Sequence, residues 1–184
     1  VVKGMKPGAS RLNDETKKYM VEILGIKTDL DLRGDDECYG MTGSPLGPTV
    51  HWAHYSASSY GGMQRSSGKA AFLKAFRIFC DEKNYPIVFH CSAGQDRAGS
   101  LAFILNGLLG VDEEELYKDW EATGFWNRGA GFNHHDYFDK LIEGFEANFP
   151  QPTWREKIEA YVKSLGVTQA EIDKFRAIML EEDK

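Results

Sequence analysis

The chain has 184 residues, 42% hydrophobic and 27% charged, ordinary globular usage that excludes a disordered or fibrous polypeptide. Twenty-eight acidic against 22 basic side chains give a formal charge of −6, which argues against a general nucleic-acid binder or an anionic-membrane binder, because both need a basic surface. Three cysteines are too few for a disulfide scaffold, and no run of 18 apolar residues offers a membrane span.

The length suits one domain over residues 1–184. The chain opens at Val1 with neither a methionine nor a signal-like apolar stretch, so it reads as a fragment or processed, soluble chain whose compartment is open. Asn13 is placed to cap a helix through Leu24, with Met20, Val21 and Leu24 as its apolar stripe and Gly25 as its stop. Residues 26–32 alternate polar and apolar, as a strand does. Gly, Pro, Ser and Thr punctuate residues 39–48 into a loop. A second strand is expected over 49–55, then a Ser/Gly-rich loop to Gly68. Residues 69–83 read as a helix with Phe72, Phe76 and Phe79 down one side, and 86–90 as a strand buried on both faces. Beyond Arg97 the pattern is helical. The first of these helices is apolar nearly all round, capping boxes stand at Asp112/Glu115 and Thr168/Glu171, and further helices fall near 134–148 and 153–165. Strands in the first half and helices in the second predict an α/β fold, a small central sheet flanked by helices with extra C-terminal helices.

Charge is unevenly distributed. Residues 38–110 carry 6 basic and 3 acidic side chains, and between Cys38 and Cys80 there is no Asp or Glu. Inside this basic middle, between the apolar strand and the apolar helix, stands His90-Cys91-Ser92-Ala93-Gly94-Gln95-Asp96-Arg97. A tight loop over Ser92, Ala93, Gly94, Gln95, Asp96 and Arg97 turns successive backbone N–H groups inward as an anion nest, reinforced by the positive end of the following helix. Arg97 offers a bidentate grip on two oxygens that lysine cannot match. Gly94 allows a backbone conformation that a Cβ obstructs. The same positive surroundings favour a thiolate, which makes Cys91 a nucleophile aimed at a bound phosphate ester, and a phosphate or sulfate ion is expected to bind in the same loop. His90 reads as a brace for the loop. The chemistry needs neither metal nor cofactor.

These residues resemble the signature loop of the cysteine-dependent phosphatases, the protein tyrosine and dual-specificity superfamily. More narrowly, the loop is similar to that of a bacterial tyrosine/lipid phosphatase branch reading H-C-x-A-G-K-D-R-T-G. The segment from Leu24 to Arg33, the helix start at Gly110–Glu114 and the stretch from Gly166 to Leu180 look like the same branch. The resemblance implies a phosphatase fold and a phosphomonoester hydrolase working through a cysteinyl-phosphate. Phosphotyrosine protein or peptide leads as substrate, with a phosphoinositide or inositol phosphate, or another small phosphoester, as the alternative. Two positions depart from the branch. Gln95 replaces a lysine, removing a cation from the rim, and Ala98 replaces the hydroxyl residue that helps the thiolate leave. A phosphate-binding pseudophosphatase and a sulfur-transfer protein are the rivals.

A leaving alkoxide or phenoxide needs a proton donor. Relatives with a mobile acid loop carry an Asp upstream of the cysteine, where this chain has its carboxylate-free window. Asp96, beside Arg97, is the first choice and matches the acid assigned in the resembling branch; Asp35 or Asp36 come second and His54 third. Arg33 either supports the nest or pairs with Asp31. His51 and His54 point to opposite faces, and His134 and His135 lack a ligand set, so no metal follows. Phe125, Trp126, Arg128 and Phe132 in the Gly124–Gly131 loop are candidates for a substrate-facing wall. Cys80 reads as core, and Cys38 as a possible disulfide partner of Cys91 under oxidation.

Overall fold

The computed structural model describes residues 12–121 and 135–180. Helix α1 spans Asp14–Lys18, and Asn13 caps it by accepting a 2.7 Å hydrogen bond from the Thr16 N–H. The expected α-helix to Leu24 does not persist. Tyr19–Ile23 widens into a π turn, with the Leu24 N–H donating to the Tyr19 carbonyl at 3.0 Å, before Gly25 ends it at φ +65°. No residue of either segment is buried, so the expected apolar stripe is not covered, and Leu24 is 46% exposed.

Three strands follow in one parallel sheet: β1 (Thr28–Asp31), β2 (His51–His54) and β3 (Ile87–His90), in the order β2-β1-β3. Thr28 is in register with His51 on one side and Ile87 on the other. The alternation in β1 suggests one wet face, yet all four residues are buried. Leu30 and Leu32 enter the apolar core, while Asp29 and Asp31 are covered by polar partners described below. The strand expected to be buried on both faces, β3, instead lies at the edge of the described sheet. Its Ile87, Val88 and Phe89 are only half-buried, having a strand neighbour on one side alone.

Helix α2 (Ser66–Phe79) begins three residues earlier than the sequence suggests. Gly68 packs so closely on the backbone of Gly62 that a Cβ would lie 2.1 Å from its carbonyl oxygen, which allows the helix to start under the preceding 3-10 turn, Tyr60–Gln64. Phe72, Phe76 and Phe79 are buried as a stripe, and Cys80 is a core residue whose Sγ lies 3.6 Å from the Phe76 carbonyl. Helix α3 (Arg97–Leu109) is buried nearly all round and packs against β3, α4 (Glu113–Glu121), α6 (Trp154–Ser164) and α7 (Gln169–Met179). The Asp112 side chain caps α4, and both halves of the Thr168/Glu171 box are formed on α7. An unanticipated box of the same kind, Thr153/Glu156, starts α6. Between them α5 (His135–Asn148) places Phe138 and Phe145 against Phe103, ring centroids 5.8 and 5.7 Å away. The outcome is the expected α/β architecture. None of the described helices is long and apolar enough to cross a membrane.

Candidate active site

Strand β3 ends at His90, α3 begins at Arg97, and the residues between them form a short irregular loop at the helix N-terminus. Gly94 sits at φ +72°, the left-handed conformation that a side chain disfavours. Cys91 is buried at the base of the loop, while Ser92, Ala93, Gly94, Asp96 and Arg97 are partly exposed above it. Gln95, expected on the rim, is buried at 3% exposure, so its substitution for lysine does not alter an open rim.

Arg97 is oriented by a residue that sequence reasoning missed. Glu37, in the 3-10 turn Asp35–Cys38 that follows β1, grips the guanidinium end-on: Nη2 donates to Oε1 at 2.9 Å and Nη1 donates to Oε2. The Ser92 hydroxyl donates to the same carboxylate, and the Gly34 N–H donates to Oε2 at 2.7 Å. The Arg97 guanidinium drives the Glu37 pKa down to about 2, burial opposing, with Ser92 and the Gly34 N–H adding to the shift. Reciprocally, Glu37 first and the nearby Cys91 second hold Arg97 above its ordinary value, against burial. Glu37 stands one residue outside the carboxylate-free window, and only the turn after β1 reveals its direction. Glu37→Gln loses a charge-assisted pair worth about 1.5–3 kcal/mol and is expected to lower kcat/KM about 10- to 100-fold, with the fold kept, as steady-state assay and circular dichroism will show.

Beneath the loop lies a buried polar layer. Arg33 pairs with Asp31, Nε to Oδ1 at 2.9 Å and Nη2 to Oδ2 at 2.5 Å, with both side chains essentially sealed from solvent. Of its two expected roles it takes the pairing one. His90 Nε2 lies 2.9 Å from Asp29 Oδ1, off the hydrogen-bond angle, and its Nδ1 lies 3.3 Å from the Cys91 carbonyl. Asp29 is also held by the Ser44 hydroxyl at 2.6 Å. His90 is thus wedged between β1 and the start of the loop.

Asp96 occupies the N-cap position of α3 yet caps nothing. Its Oδ1 accepts a 2.5 Å hydrogen bond from the Tyr60 hydroxyl instead. Asp35 is 90% exposed and 3.8 Å from His54 Nδ1, and His54 Nε2 is engaged at 2.8 Å by the Arg33 carbonyl, so these two alternative donors are directed at each other and at the backbone, while the remaining one, Asp36, is exposed. Ser100, two residues beyond Ala98, takes the Tyr60 N–H on its Oγ at 3.4 Å. The three cysteines are free. Cys38 rests 3.4 Å from His54 Nε2, and burial, with Asp31 behind it, pushes its thiol up to about 11. Among the described residues no group of three or more His, Cys, Asp or Glu assembles to hold a metal. The expected aromatic wall at 124–132 and the pair His134–His135 lie outside the residues whose side chains are described.

Two comparisons bear on this geometry. A family model described as "Tyrosine phosphatase family" matches residues 7–181. A curated "Tyrosine-protein phosphatase" of Nostoc commune is 23% identical over 207 residues, spanning 90% of this chain and 70% of that protein.

Proposed function

The chain belongs to the tyrosine phosphatase family, and from that premise we propose that it hydrolyses phosphomonoesters through a cysteinyl-phosphate intermediate, with phosphotyrosine in a protein or peptide as the leading substrate. One observation carries the reading: Cys91 opens, and a rigidly held Arg97 closes, a loop at a helix N-terminus. Glu37 takes the Nη1–Nη2 end of the guanidinium, and the Nε edge carries no carboxylate among the described residues, which suits it to a tetrahedral anion. Cys91 Sγ attacks phosphorus as the bond to the ester oxygen breaks, and the 92–97 backbone and Arg97 hold the non-bridging oxygens. Asp96 protonates the departing oxygen; water then cleaves the S–P bond and regenerates the thiolate. The Nostoc protein's printed name supports a phosphotyrosine substrate.

The test is phosphate release from phosphotyrosine peptides, phosphoserine peptides, phosphoinositides and inositol hexakisphosphate, with Cys91 kept reduced. Phosphotyrosine peptides are expected to turn over fastest. Inactivity on the whole panel would refute the enzymatic reading, and a preference for the inositol compounds would move the substrate assignment.

A further inference from the structure

We infer that Tyr60 is a positioning residue for the proton donor, fixing which oxygen of Asp96 carries the transferable proton; this rests on the assignment of Asp96 above. The hydroxyl of Tyr60 has one proton, and it donates it to Asp96 Oδ1 at 2.5 Å. With Oδ1 occupied as an acceptor, the acid proton belongs on Oδ2. As the S–P bond forms, the electron pair of the breaking P–O bond passes to the leaving oxygen, which takes that proton. Asp96 is left as a carboxylate. The Tyr60 hydrogen bond strengthens as this negative charge develops, so it favours the transition state over the ground state.

Tyr60 is itself built to hold still. It is 8% exposed, and its ring meets Trp120 edge-on at 5.4 Å and 75°. Its backbone sits at φ +52°, an uncommon conformation for a bulky side chain, and its N–H is tied to Ser100 Oγ on α3, four residues after Asp96. The helix that begins beside Asp96 therefore also fixes the residue that orients it.

The experiment compares kcat/KM for phenyl phosphate and p-nitrophenyl phosphate in the native chain, Tyr60→Phe, Asp96→Asn and the double variant. Phenoxide needs protonation and p-nitrophenoxide scarcely does. Tyr60→Phe keeps the ring against Trp120 and is expected to slow phenyl phosphate about 10- to 100-fold but p-nitrophenyl phosphate at most about threefold, with no further selective loss on top of Asp96→Asn. The ratio of the two rates is independent of how much protein is folded, so partial misfolding does not obscure it. Equal slowing of both substrates by Tyr60→Phe, while Asp96→Asn stays selective, overturns the role of Tyr60 alone. Equal slowing by Asp96→Asn overturns the assignment of the acid and the inference with it.

Discussion

Cys91→Ser is expected to reduce phosphate release by at least about 10⁴-fold while leaving phosphate binding intact. A serine hydroxyl in this loop is a poor nucleophile with no base among the described residues aimed at it, whereas the anion-binding parts do not involve the sulfur. The loop amides, the α3 N-terminus and the Glu37-held guanidinium all remain. The variant should therefore capture a phosphotyrosine peptide without turning it over, measurable by calorimetry beside single-turnover assay. Comparable capture and turnover in the native chain and the variant would remove Cys91 from the reaction. Stoichiometric capture by the native chain without turnover would mark it as a binder of phosphorylated ligands.

The second large effect is on stability. Asp31→Ala leaves the Arg33 guanidinium buried and unpaired, since Asp31 receives three hydrogen bonds from that side chain and a fourth, at 3.0 Å, from its backbone N–H. Removing one partner of a buried pair costs about 3–5 kcal/mol, a large part of a typical domain's 5–15 kcal/mol. Thermal unfolding should drop by roughly 10 °C or more. The effect depends on pH in a definite sense. Burial pushes the Asp31 pKa up, but the Arg33 hydrogen bonds, helped by His90, outweigh it and hold the pKa below its ordinary value. A depressed carboxylate stabilises the fold above its unfolded pKa and loses that contribution as pH falls through the folded one. The gap between native and variant stability should narrow on acidification, in urea titrations run at neutral and acidic pH. A gap constant with pH would show that Asp31 acts by packing rather than by charge.

Much of the architecture was legible because it rests on local patterns. The Phe72–Phe76–Phe79 stripe, the apolar α3 and the capping residues Asn13, Asp112 and Thr168 each express a periodicity or a cap chemistry that the structure retains. The failures lie where periodicity is silent. The helix beyond Lys18 opens into a π turn through a local Leu24–Tyr19 bond that apolar periodicity does not register, and β3 sits at an edge because strand order depends on neighbours in space that no periodicity encodes.

By itself the sequence determined the chemistry on offer: a cysteine and an arginine six positions apart at the mouth of a buried helix, with a glycine where the loop needs a positive φ. Only the tertiary structure decided which groups serve that loop. Glu37 comes from the turn after β1 and Tyr60 from a Ser/Gly-rich loop, 60 and 36 residues from the partners they hold. Arg33 was drawn to Asp31 because a buried guanidinium needs a carboxylate, and β1 supplies one two residues away. Hydrogen bonds and ion pairs act over a few ångströms, and folding brings such distant segments within that range.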